Sequence, residues 1–156
     1  MIELARFAAL VAVLGAAVIY GTDVFCAVVQ RPALARVDDR ALVAVMGNVH
    51  RYGDRRMPIP GALSLVAAAL SAALAGWAGR WSAASAAAAA VGLLSTWLAI
   101  YVGVSAPINR RLTTAAKAGE VPADARTLQT DWDRVITARA VLQGLAIVAL
   151  CVALLR

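Results

Sequence analysis

One histidine and two cysteines are all the imidazole and thiol that this 156-residue sequence could offer a metal. His50 alone cannot supply both axial ligands of a bis-histidine haem. With Cys26 and Cys151 it matches no zinc-ligand spacing. The two cysteines fall in different apolar stretches, near opposite ends of them. They are expected to be too far apart to bridge, and so to be free, small and buried. Charge is scarce too: 15% of residues are charged against 62% hydrophobic, which excludes an ordinary soluble domain. There is no glycine loop with phosphate-binding spacing and no nucleophile elbow. No metal or cofactor is expected.

What the sequence does contain is apolar runs, at about Phe7–Val29, Ile59–Ala78, Ala83–Ala106 and Val135–Leu155. Each has the ~20 residues that a helix rising ~1.5 Å per residue needs to cross ~30 Å of hydrocarbon. The runs are continuous and rich in Ala and Leu, without period-two alternation, so strands are excluded. The expectation is an all-α, integral membrane four-helix bundle, one domain over residues 1–156. The first run is read as a retained span. Glu3 sits beside Arg6, and Asp23 and Phe25 stand where a cleaved signal would need small residues.

Arg31, Arg36, Arg40, Arg51, Arg55 and Arg56 lie between spans one and two. Arg110, Arg111, Lys117, Arg126 and Arg134 lie between spans three and four, leaving Arg6, Arg80 and Arg156 for the other side. The positive-inside bias then predicts a multi-pass cell-membrane protein with both long loops cytoplasmic and both termini outside. Topology and anionic headgroups account for the basicity, so no nucleic-acid partner is expected. The expected partners are membrane lipid and an apolar small molecule, and self-association is compatible with the architecture. A transporter would need it, because four spans without visible repeats offer no alternating access.

Asp38 to Gly53 has its own pattern. Leu42, Val45, Met46 and Val49 recur at i, i+3, i+4 and i+7, with Asp38 or Asp39 placed to cap the start. This predicts an extra amphipathic interfacial helix over about 38–53, ended by Gly53. Met57-Pro58-Ile59-Pro60 then predicts an extended entry into span two. "GWAGRWS" predicts a tight hairpin with Trp77 and Trp81 at headgroup level, and the alanine-rich start of span three predicts close helix packing. A helix should restart near Ala123 after the polar segment that follows span three.

Asp23 is the residue that fits hydrocarbon worst. It lies eight residues before Arg31, roughly 12 Å into the membrane at ~1.5 Å per residue. An ionised carboxylate there costs ~2.5–3.5 kcal/mol, so it needs a partner at its own depth. Arg139 is that partner by position, and it shares a helix face with Trp132, Ile136 and Gln143. Span three offers Trp97, Tyr101 and Ser105 at the same depth, then Pro107, which leaves the Gly103 carbonyl without its helical donor. Asn109 is placed to cap or bridge that break, and His50 to roof the cluster. Asp54, Arg55 and Arg56 read as a solvated charge run.

The segments "GTDVFCAVVQRPAL", "VMGNVHRYGDRRMP", "APINRRL" and "WDRVITAR" resemble the anthrone oxygenase-like family over nearly the whole chain. The most specific piece is Pro107, Asn109 and Leu112, followed by Trp132 with Arg139 seven residues on. The bacterial members of that family are grouped as a membrane domain of unknown function. The fungal members are associated with oxygenation of anthrones to anthraquinones without a recognised organic cofactor. Relatives often carry a histidine between the tryptophan and the arginine, and here the intervening "DRVITA" has none. The resemblance implies a small four-helix membrane protein, an oxidoreductase, with Asn109, Trp132 and Arg139 in its site and Pro107 shaping the helix end. Joined to the polar cluster, this gives an expected catalytic group of His50, Asp23, Arg139 and Asn109. Trp97, Tyr101, Trp132 and Gln143 would contact an apolar polycyclic or phenolic substrate. The alternative expectation is a non-catalytic membrane subunit or binding protein whose polar cluster is structural.

Overall fold

In chain order, the helices of the computed structural model, which describes residues 1–156, are α1 (Ile2–Phe25), α2 (Arg31–Leu34), α3 (Asp39–Arg56), α4 (Pro58–Trp77), α5 (Trp81–Ile100), α6 (Ala106–Ala118) and α7 (Ala125–Leu155). Single π turns, Cys26–Gln30 and Tyr101–Ser105, join α1 to α2 and α5 to α6. The result is four continuous rods long and apolar enough to cross a membrane: Ile2–Leu34, Pro58–Trp77, Trp81–Ala118 and Ala125–Leu155.

The first and third rods run well past their expected ends at Val29 and Ala106, and the expected break at Pro107 does not occur. Each π turn is followed by one residue and then a proline, Pro32 or Pro107. In a plain α-helix the proline ring collides with the carbonyl four residues earlier. In the wider π turn the N–H reaches back five residues, as Arg31 does to Cys26 O and Ala106 to Tyr101 O. The helix absorbs the proline by widening instead of stopping.

The four rods form a closed ring, in which α1 packs on α4 and α7, and α5 on the same two helices. Ala5, Ala8, Ala9, Ala12, Gly15 and Ala16 of α1 are buried, as are Ser64, Ala67, Ala68, Ser71 and Ala75 of α4. The small-residue packing expected of span three (Ala83, Ala87 and Ala90) is therefore shared by spans one and two. Backbones come close enough for Ser64 Oγ to donate to Ala12 O at 2.8 Å. A Cβ on Gly15 would stand 2.7 Å from Pro60 O.

Asp38 caps α3 as expected, its Oδ1 accepting from Ala41 N at 2.7 Å. The helix does not stop at Gly53 but runs to Arg56. Met57 then continues in helical conformation (φ −71°, ψ −23°), so the extended entry into span two is absent. Pro58 opens α4 in its first turn, where a missing N–H costs nothing. The face that α3 buries is also rotated from the expected one. Leu42, Val43, Met46, Gly47 and His50 pack inward, while Val45 and Val49 stay exposed. The cause is α6, which projects beyond the apolar span and offers α3 a protein partner instead of lipid. Contact is closest at Gly47, where a Cβ would meet Leu112 O at 2.5 Å and Thr113 Oγ1 donates to Gly47 O at 3.1 Å.

At the opposite end Gly79, with φ +72°, turns the hairpin between exposed Trp77 and Trp81. Gly119, with φ +71°, ends α6 in the same left-handed conformation. Both cysteines are free. Cys26 is buried, but Cys151 is exposed on the outer face of α7 and not buried as expected.

Candidate functional site

The unfavourable carboxylate of α1 is satisfied on every side. Asp23 Oδ1 accepts from Arg139 Nη2 at 2.9 Å. Its Oδ2 accepts from Trp97 Nε1 at 3.2 Å and Gln143 Nε2 at 3.3 Å. Arg139 Nη1 donates to Ser105 Oγ at 2.8 Å. The guanidinium lies 5.9, 5.5 and 5.7 Å from the ring centres of Trp97, Tyr101 and Trp132, an aromatic box that favours a desolvated cation. Arg139 Nε has no partner.

One turn toward the long loops is a second set of contacts. Asn109 does not cap the Gly103 carbonyl. Its Nδ2 donates to Asp54 Oδ1 at 2.8 Å, and its Oδ1 accepts from Trp132 Nε1 at 3.0 Å. Tyr101 Oη donates to the same Asp54 oxygen at 2.8 Å. Asp54 is therefore not part of a solvated charge run but the hub of the outer layer. Its signal was present in the sequence as Met46, His50 and Asp54 at i, i+4 and i+8, one line along α3.

His50 is 5% exposed and stands 5.6 Å, ring to ring, from Trp132. Its Nε2 is buried with no hydrogen-bond partner. Burial pushes its pKa down to about 4, against the pull of Asp54 upward and with a further push from Arg139. The imidazole is neutral at pH 7, and one of its ring nitrogens is then an acceptor.

These groups surround a cavity of about 320 Å³, at the small end of the ~300–1,000 Å³ usual for small-molecule sites. Asp23, His50, Asp54, Tyr101, Asn109 and Arg139 line its polar end. Ile19, Leu65, Val66, Leu94 and Leu98 line the remainder, and exposed Val66 and Leu98 bring it to the apolar outer surface. All the residues expected at the site except Gln143 line the cavity, and Gln143 sits behind Asp23. No three of the His, Cys, Asp and Glu side chains gather into a metal-ligating group.

Comparison of the chain with protein-family models, with curated proteins and with solved structures finds no match.

Proposed function

We propose that this protein is a membrane oxygenase of the anthrone type, taking an apolar polycyclic phenol from the bilayer into the cavity beneath α3. The observation that carries the reading is His50: a buried, neutral imidazole with an unpartnered Nε2, lining a pocket whose outer walls are apolar. A phenolic hydroxyl is the donor that this nitrogen lacks, and exposed Val66 and Leu98 set the entrance in the lipid-facing surface. Trp97 and Tyr101, stacked at 6.0 Å, offer a flat wall to fused rings.

In chemical terms, His50 takes a proton from the activated ring carbon or its hydroxyl. Arg139, held by Asp23 and Ser105, steadies the resulting anion in a water-poor site. The electron-rich anion reduces dioxygen directly. Overall a ring CH2 and O2 become C=O and water, which needs no further reductant. The arginine-rich loops favour a cytoplasmic position for this end of the bundle.

A non-catalytic reading is favoured by one observation: Asp23 already accepts three hydrogen bonds, all from side chains of the bundle itself. Binding and turnover of an anthrone by the purified protein in detergent separates the two. Tryptophan fluorescence reports binding and oxygen uptake reports reaction. The oxygenase reading expects His50→Gln to bind the anthrone but lose most oxygen uptake, with the unfolding midpoint nearly unchanged. If wild-type protein neither binds the anthrone nor consumes oxygen, the non-catalytic reading replaces it.

A further inference from the structure

A second recess, of about 670 Å³, opens at the long-loop end of the bundle and shares no residue with the first cavity. Arg31 and Pro32 after the first π turn form one side, and Arg126, Gln129 and Asp133 of α7 form the other. The hydrogen bonds here leave a specific remainder. Gln129, 5% exposed, spends its Nε2 on Asp133 Oδ1 at 2.9 Å, and its buried Oε1 accepts nothing. The nearest cation to Asp133 Oδ2 is Arg31 Nε at 3.9 Å, too far for a hydrogen bond. Each nitrogen of Arg126 is engaged. Its Nε donates to Asp39 Oδ1 at 2.6 Å, its Nη1 to Leu34 O at 2.9 Å, and its Nη2 to Val37 O. The Arg31 side chain is half exposed and donates no hydrogen bond.

The recess therefore presents two unfilled acceptors at its base and one unfilled cation at its rim. A buried acceptor without a donor costs as much as a lost hydrogen bond, so the remainder describes its ligand. That ligand carries an N–H cation with an anion a few atoms away. The site also lies at the level where the apolar rods end, and the adjacent Val28 and Val29 are exposed on the π turn. We infer that the recess binds the phosphoethanolamine headgroup of a membrane phospholipid, with its ammonium on Gln129 Oε1 and Asp133, its phosphate on Arg31, and its chains along Val28 and Val29. A choline headgroup has no N–H to donate. A glycerol headgroup has donors but no charge for Asp133. The inference stands apart from the proposed oxygenase activity and uses none of its residues.

Native mass spectrometry of the detergent-purified protein tests it with chain-matched phosphatidylethanolamine, phosphatidylcholine and phosphatidylglycerol. Soluble glycerophosphoethanolamine serves as competitor. The ethanolamine lipid should be retained roughly tenfold better than the choline lipid, the equivalent of about one charge-assisted hydrogen bond. Asp133→Asn and Gln129→Met should erase that preference. Exposed Arg31→Gln, which disturbs no packing, should weaken ethanolamine and glycerol lipids alike. Equal retention of all three lipids by the wild type would overturn the inference, as would preference for the glycerol lipid. Displacement by the soluble competitor at equal concentration would overturn the assignment to lipid.

Discussion

The buried Asp23–Arg139 pair sets the energetics at the residue scale. Removing one partner of such a pair leaves an uncompensated charge, which costs about 3–5 kcal/mol. Arg139→Ala and Asp23→Ala should therefore each lower unfolding stability in detergent by about that much, and the double variant by clearly less than the sum. Additive losses would mean that the two side chains do not depend on each other. His50 gives a pH signature with a definite sign. Its pKa is near 4 in the folded protein and 6.5 when unfolded, so between these values the unfolded chain binds the extra proton. Stability is full above about pH 6.5 and falls as pH drops toward 4, by roughly 3 kcal/mol in all. His50→Gln should flatten the wild-type slope of unfolding midpoint against pH between 6.5 and 4.5, and an unchanged slope would place the titration elsewhere. The Asp23 partnership was legible because a carboxylate at known depth allows few partners. Asp54 was not, because its neighbours Arg55 and Arg56 made it look like part of a polar run, and only the rotation of α3 turns it inward.

Two features at the element scale were hidden from the sequence, the π turns and the face of α3, and they have one cause. Pro32 and Pro107 read as ends of spans, yet the π turn before each carries the helix on. The extended third rod then supplies α6, and α6 draws the Leu42–Met46 face of α3 off the bilayer and into a protein core. A hydrophobic stripe records that a face is buried but not what covers it. Gly47 is the point where this docking is most constrained. Gly47→Ala puts a methyl 2.5 Å from Leu112 O and 2.3 Å from Ala116 Cβ, both on α6. Overpacking of this kind costs about 1–3 kcal/mol, and it should also pry His50, one turn along α3, from the cavity roof. The control is Gly92→Ala in α5, which meets nothing within 4 Å and should stabilise the helix by up to ~1 kcal/mol. Parallel unfolding of the two variants checks this, together with Trp132 fluorescence as a report on its contact with His50. Similar effects of both substitutions would show that α3 is not seated through Gly47.

For the whole molecule, charge and cavity share one end of the bundle. The α1–α4 connection, helix α6 and the start of α7 all lie there, bringing together Arg31, Arg36, Arg40, Arg51, Arg55, Arg56, Arg110, Arg111, Lys117, Arg126 and Arg134. Only three of these close ion pairs shorter than 3.5 Å: Arg111 with Asp124, Arg126 with Asp39, and Arg134 with Asp131. The opposite end has the hairpin at Gly79 and the two termini, where Arg80 Nη2 donates to the Arg156 carbonyl. Lysine and arginine near span ends resist translocation, so this imbalance predicts an orientation with the loops and polar cavity on the cytoplasmic side. A reporter fused to the carboxyl terminus tests the orientation directly in a bacterial host. Alkaline phosphatase there should be active and green fluorescent protein dark, while both signals reverse when the fusion is made after Glu120 in the α6–α7 segment. A bright fluorescent carboxyl-terminal fusion would invert the topology and put the cavity on the outer face. His50 would then meet the pH outside the cell, and the loss of stability below about pH 6.5 would become a sensitivity to external acid.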